Sequence, residues 1–159
     1  MKVVVTSDIH GRIHALDEIL KAHPDADMYI DCGDSELAPE RIVPFVSVEG
    51  NNDRYFDFPD SRVLQIGNVK TLIIHSHQVS LFRRDAMLAK KARAVGAKIV
   101  LFGHHHVFYD KIVDGVRLIS PGSVFYNRDH SKPSYALVRF NGTAIAVERH
   151  EVKRYPFKG

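Results

Sequence analysis

The sequence predicts an α/β fold: a mixed sheet, or two packed sheets, covered by outer helices. Two observations carry this. In the first half, short β-branched runs alternate with amphipathic segments, the pattern of βα units and parallel strands. In the second half, the turn pairs Asp114-Gly115 and Asn141-Gly142 join alternating runs, the pattern of antiparallel hairpins.

Residues 2–7 form a β-branched strand that stops at Asp8-Ile9-His10-Gly11. Residues 12–22 follow as a helix, because Ile13, Leu16, Ile19 and Leu20 recur at helical spacing and Pro24 closes the pattern. Residues 27–31 make a second strand, ending at Cys32-Gly33-Asp34-Ser35. Residues 38–45 read as a short helix, with Pro39 near its start, where a missing N–H costs nothing. A third strand, 46–49, ends at Gly50-Asn51-Asn52-Asp53. A loop containing Pro59 then leads to a hairpin of 62–66 and 69–74 about Gly67-Asn68, whose second strand ends at His75-Ser76-His77. Residues 80–95 are the longest predicted helix, with Leu81, Leu88, Ala92 and Val95 as its apolar stripe and Ser80 and Gly96 as caps. The apolar strand 98–102 runs into Gly103 and three consecutive histidines, 104–106. Hairpins of 107–113 with 116–119, and of 134–140 with 143–150, flank Ser120-Pro121-Gly122-Ser123 and the polar loop 127–133; the last residues read as a tail.

The 159 residues fit one domain, 1–159, with room for a core. The composition, 45% hydrophobic and 26% charged, is ordinary for a soluble globular protein. No apolar run is long enough to span a bilayer, and the first strand is too short for a signal-peptide core. A single cysteine, Cys32, excludes an internal disulfide framework and fits the cytoplasm; it reads as a small buried residue. The net charge of +3 is small and the cations are scattered, so there is no strong nucleic-acid signal. Arg83, Arg84, Lys90, Lys91 and Arg93 read as the solvated face of the long helix, without interleaved aromatic residues.

Five segments end strands with metal-type side chains: Asp8/His10, Asp34, Asn51/Asp53, His75/His77 and His104/His106. Strand ends in an α/β sheet form the rim where ligands bind. Carboxylates crowded there would repel and stay partly protonated unless a cation held them. Imidazole with carboxylate and amide oxygen suits Mn, Fe, Co, Ni or Zn. The donors are too many for one ion of low coordination number, so two ions sharing a carboxylate is the economical reading. If 103–106 stay extended, His104 and His106 point to one side and His105 to the other, towards the rim. His14, His23, His130 and His150 read as surface residues.

The order Asp-x-His, Gly-Asp, Gly-Asn-x-Asp, His, Gly-His-x-His resembles the calcineurin-like metallophosphoesterase superfamily. Residues 32–37 and the 120–123 turn are similar to its small stand-alone phosphodiesterases of the YfcE type. The resemblance covers essentially the whole chain. It implies a metallo-dependent phosphatase-like, four-layer α/β/β/α sandwich of two mixed sheets flanked by helices. By the same resemblance Asp8, His10 and His106 hold one divalent ion, Asn51, His75 and His104 the other, and Asp34 bridges both. The ions are expected to be manganese, with Fe, Ni, Co or Zn as alternatives. The implied reaction is hydrolysis of a phosphodiester by a hydroxide bridging two ions. Asp53 is expected to orient His10 or the bound water rather than bind metal.

Position 52 departs from the pattern. Many members carry histidine there to protonate the leaving group, whereas Asn52 cannot do so, which favours a diester over a monoester. His77 is then the nearest candidate for a substitute acid or phosphate contact, and Arg128, where that branch has an arginine after the Pro-Gly-Ser turn, is a candidate phosphate contact or else a surface arginine. The alternatives are a phosphomonoesterase or pyrophosphatase with the same centre, or a non-catalytic scaffold resembling the retromer subunit of this fold. The expected partner is a small phosphodiester, with no membrane; exposed sheet edges permit a homodimer.

Overall fold

The computed structural model describes residues 1–153. The predicted tail falls largely outside the described residues. Strands β1 (Lys2–Thr6), β2 (Met28–Asp31) and β3 (Val46–Ser47) run parallel, and the hairpin β9 (Ser134–Asn141) and β10 (Ala144–Glu151) adds to the other side of β1. The resulting order is β10-β9-β1-β2-β3. In the second sheet β5 (Val69–Ile74), β6 (Ile99–Phe102) and β8 (Val116–Pro121) are parallel. Antiparallel β4 (Ser61–Ile66) and β7 (Phe108–Val113) close its edges, giving β4-β5-β6-β8-β7.

Side-chain alternation turns these two sheets into four layers. Val3, Val5, Ile30, Ile73, Leu101 and Val138 point inward, where the sheets face each other. Val4 and Leu137, one register off, face outward onto Leu16 and Ile19 of helix α1 (Ile13–Ala22). Leu72, Ile74, Val100 and Leu118 likewise face Leu88, Ala89 and Ala92 of helix α2 (Arg84–Ala94). The near-continuous apolar runs of β1 and β6 follow, since strands covered on both faces need no polar side. The architecture is the expected α/β/β/α sandwich.

Three elements differ from expectation. The helix predicted over 38–45 is a single 3-10 turn, Pro39–Arg41, because Pro44 lacks the N–H that a further turn would use. The third strand stops at Ser47, and Glu49 turns its N–H to the Pro59 carbonyl. The long helix opens as a 3-10 turn, Leu81–Arg83, and Ser80 makes no capping bond. Leu81 and Val95 lie outside its buried stripe, and Ala89 and Ala92 bring the helix close to the sheet instead. His23, expected at the surface, is buried at the end of α1, with its Nε2 2.7 Å from the Tyr135 hydroxyl.

Candidate metal centre

The C-terminal ends of β1, β2, β5 and β6 meet at one edge of the sandwich, and the chain leaves each by a sharp turn. Asp8 (φ 52°), His10 (47°), Asp34 (57°), His104 (81°) and His106 (57°) all have left-handed backbone. Such residues cost roughly 1–3 kcal/mol each and persist only where the surroundings hold them. Backbone bonds do this here: Asp8 N–H donates to Gly33 O, His10 N–H to Asp34 O and Gly103 N–H to His75 O.

Two groups of donors result, Asp8 with His10 and His106, and Asp34 with His75 and His104; within each group the ligand atoms lie within 4.8 Å of one another. Asp8 Oδ1 is 3.2 Å from His106 Nε2 and 3.7 Å from His75 Nε2, so it is the contact that crosses between the groups. Asp34 Oδ2 is 3.2 Å from His75 Nε2. The imidazoles are held by their far nitrogens: His75 Nδ1 is 2.7 Å from Cys32 O, and His106 Nδ1 is 2.9 Å from Tyr126 O. A carbonyl at Nδ1 fixes the tautomer that leaves Nε2 free to bind a metal.

The centre also fits a metal by its unmet needs. Asp8 Oδ1, Asn51 Oδ1 and His75 Nε2 are buried without a hydrogen-bond partner, and buried polar atoms are seldom left so. Burial opposes charge on His75, yet the Asp34 and Asp8 carboxylates overcome it and push its pKa up to about 9. Burial works against the charged Asp34 carboxylate too, and His75 holds its pKa below the ordinary value. Burial, with His75 and His105 alongside, pushes His104 down to about 4, which keeps its imidazole neutral and able to ligate.

This geometry corrects several expectations. His104 and His106 do not continue an extended strand but sit in left-handed turns, one in each donor group. His105 is half-buried, its ring 4.8 Å from that of His104 and its Nε2 unpartnered. The hydrogen bonds of Asp53 go to backbone groups. Its buried carboxylate accepts the backbone N–H groups of Asp34, Glu36 and Gly50, and so fixes the Asp34 loop. Asn52 grips Asp34 twice, through its backbone N–H at 2.8 Å and its side-chain amide at 2.9 Å. Arg128 is exposed, and its backbone N–H donates to His106 O. The rings of His77 and His75 lie 5.5 Å apart, and His77 Nδ1 has no partner.

These findings identify the family. Residues 1–143 match the family described as the calcineurin-like phosphoesterase superfamily domain. The chain belongs to that superfamily. A probable metallophosphoesterase of Bacillus subtilis, YsnB, is 32% identical, over 95% of this chain and 91% of its own. The solved structure of a predicted phosphoesterase from Streptococcus pneumoniae superposes with a TM-score of 0.86 at 28% identity, covering 98% and 93% of the two chains. Two more distant structures share the fold at a TM-score of 0.73. One is an archaeal phosphodiesterase (20% identity, 94% and 100% coverage), the other Vps29 of Entamoeba histolytica (23%, 96% and 100%). Members of a metallophosphoesterase family work with divalent metal ions, in keeping with the two donor groups. Among the described residues no helix is long and apolar enough to cross a membrane.

Beneath the centre lies a group that sequence patterning missed. Asp31 is fully buried, its Oδ2 accepting from Ser47 Oγ and Gly33 N–H and its Oδ1 3.2 Å from Thr6 Oγ1. Burial raises its pKa from 3.8 to about 8. The native state therefore holds a proton that the unfolded chain releases above pH 4. The stability from this proton is complete below 3.8 and is lost as pH rises towards 8. Asp31→Asn, whose amide keeps these contacts without a charge, is expected to gain about 1–3 kcal/mol over the parent at pH 8 and little at pH 4. Urea unfolding at the two pH values measures the difference, and equal effects at both would refute the assignment.

Proposed function

We propose that this superfamily member is a metal-dependent phosphodiesterase with a dinuclear centre, manganese being the first ion to try. The observation that carries the reading is the pair of three-residue donor groups side by side at the strand ends. Two divalent ions supply Lewis acidity, easing deprotonation of water near neutral pH and drawing in phosphoryl oxygens.

The chain's own side chains do the rest. Asp8, His10 and His106 would hold one ion, and Asn51, His75 and His104 the other, with Asp34 as the shared carboxylate that the resemblance implies and Asp8 Oδ1 also reaching towards His75. Asn52 keeps both Asp34 oxygens aimed, and Asp53 anchors the loop from which Asp34 projects. Arg128, exposed and tied by its backbone N–H to the His106 carbonyl, would supply a cation for phosphoryl oxygens that gain charge. With Asn52 unable to give up a proton, a good leaving group and a singly charged diester suit the site better than a monoester. The name of the archaeal phosphodiesterase neighbour accords with this. A purely scaffolding role, the alternative suggested by Vps29, has no need of seven intact donors.

Burial and the neighbouring His75 hold the pKa of His77 below its ordinary value, so its ring is neutral near pH 7. It is suited to donate a hydrogen bond to a phosphoryl or leaving-group oxygen. His77→Ala is expected to lower turnover of an alkyl diester roughly tenfold to a hundredfold with metal content unchanged. Unchanged turnover on that substrate would remove His77 from the reaction.

The reading is tested by stripping the protein of metal, reloading it with each first-row divalent ion, and comparing a diester with its matching monoester. Activity restored by Mn²⁺ and faster on bis(p-nitrophenyl) phosphate than on p-nitrophenyl phosphate is expected. A faster monoester rate overturns the diesterase assignment. Inactivity with every ion overturns hydrolysis itself and favours the scaffold.

A further inference from the structure

We propose that Ser123, the last residue of the Ser120-Pro121-Gly122-Ser123 turn, is a positioning residue for the Asp8, His10 and His106 group, and that its hydroxyl, braced by the Asn127 amide, sets how tightly this group holds a divalent ion. The ion rests on the dinuclear reading above, whereas the hydrogen bonds that carry the proposal stand without it. The turn supplies no proposed ligand, yet it is fastened to the end of β1. Val124 N–H donates to the Ser7 carbonyl at 3.2 Å, and Ser123 Oγ to the Asp8 carbonyl at 2.8 Å.

The Ser123 side chain is fully buried and uses all of its bonding capacity. Besides donating to Asp8, its oxygen accepts the Phe125 and Tyr126 N–H groups at 3.0 Å each. The carbonyl of the same Tyr126 lies 2.9 Å from His106 Nδ1, and His106 Nε2 lies 3.2 Å from Asp8 Oδ1. A circuit therefore closes from Asp8 through Ser123, Tyr126 and His106 back to Asp8. It joins three stretches far apart in the chain: the ends of β1 and β6 and the loop after β8. One hydroxyl thus holds both the backbone of the carboxylate ligand and the peptide behind the imidazole ligand.

Asn127 secures the loop side of this circuit. Its side chain is buried; Oδ1 accepts the Ser123 N–H at 2.7 Å, and Nδ2 donates to Lys132 O at 2.9 Å and to Ser134 Oγ at 3.1 Å. The residues on either side of it both grip His106, Tyr126 at the ring and Arg128 through its N–H to the His106 carbonyl at 3.0 Å. Gly122 (φ 76°) leaves room for these side chains, since a Cβ there would stand 2.4 Å from Ser134 Oγ and 3.0 Å from Asn127 Oδ1. The other donor group is held by different means, His75 by the Cys32 carbonyl and Asp34 by Asn52. A loss at Ser123 should therefore fall on one ion and spare the other. Contacts behind a metal ligand typically change metal affinity by about ten- to a hundredfold, whereas a clamp that only stabilised the fold would loosen both groups alike.

The test is calorimetric titration of the metal-free protein with Mn²⁺, for the parent, Ser123→Ala and Asn127→Ala. Ser120→Ala is the control, a buried hydroxyl of the same turn that accepts the Gly122 N–H. In both Ser123→Ala and Asn127→Ala one ion should bind at least about tenfold more weakly and the other within about threefold of the parent, with the control unchanged. In the metal-free proteins, ¹H–¹⁵N spectra of the imidazoles follow the Nδ1 proton of His106. It should be protected from exchange in the parent and exchange at least about tenfold faster in Ser123→Ala, while dispersed amide signals show that the variant folds. Asn127→Ala breaks the clamp from its other end and keeps both measurements decisive should Ser123→Ala not fold. Equal weakening of both ions, unaltered affinities, or an Nδ1 proton protected as in the parent overturns the proposal. If the parent binds fewer than two ions, the dinuclear reading fails and the Nδ1 proton decides this inference by itself. If one ion is lost as expected but the parent prefers a monoester, the diesterase reading fails and this inference stands.

Discussion

Asp34→Asn is expected to abolish hydrolysis, lowering turnover by about a thousandfold or more, and to reduce bound metal from two ions per chain to one or fewer. The substitution keeps the shape of the side chain and removes the charge. Asn52 donates to both Asp34 oxygens, and His75 Nε2 lies 3.2 Å from one of them. An amide offers one oxygen and one N–H pair, so one of its ends would turn a donor towards the Asn52 donors or towards the ions. Metal analysis by mass spectrometry, beside circular dichroism to confirm folding, separates loss of ions from loss of fold. An asparagine variant with two ions and parental turnover would remove Asp34 from the centre.

Gly103→Ala is expected to cost about 2–4 kcal/mol of stability and to empty the Asp8 group of metal. An added Cβ would stand 1.9 Å from Ser7 Oγ, 2.9 Å from Ser7 Cβ and 2.8 Å from Asp8 Oδ2. Rotating the Ser7 hydroxyl relieves the first of these contacts only, so the end of β1 must move. That movement breaks the bonds that Ser7 Oγ and His104 N–H donate to Asp8 Oδ2. Gly115→Ala is the control: it has open space around it and pays only for its left-handed backbone, about 1 kcal/mol. Urea unfolding and metal titration measure both variants, and equal penalties would show that space at Gly103 is not what matters.

The strands were legible because their apolar runs are long enough to imply cover on both faces, as in β1 and β6. The donor clusters were legible because they recur at strand ends, which local pattern locates well. Side-chain direction beyond those ends was not. Alternation applies to extended backbone, whereas His104 and His106 sit in left-handed turns set by hydrogen bonds to another strand's loop. The roles of Asp53 and Asn52 were hidden for the same reason, since the Asp34 and Glu36 groups they bind lie 17 to 19 residues away in sequence. The burial of Asp31 and His23 depends on tertiary cover that no spacing announces. The glycines before the donors gave a usable signal: Gly50 and Gly103 are small because carboxylates pass within contact distance.

Each donor group draws on both sheets. Asp8 and His10 follow a strand of the first sheet and His106 one of the second; Asp34 follows the first, His75 and His104 the second. An ion in either group is therefore a crosslink across the sandwich interface, closing a loop that spans much of the chain. Crosslinks between distant positions restrict the unfolded chain most, and ions bound only to the folded state add stability with concentration. In a chain whose single cysteine is buried, ions bound there would assume the tethering part that disulfides play in other small proteins. Metal supply would then govern how much folded protein persists as well as how fast it turns over.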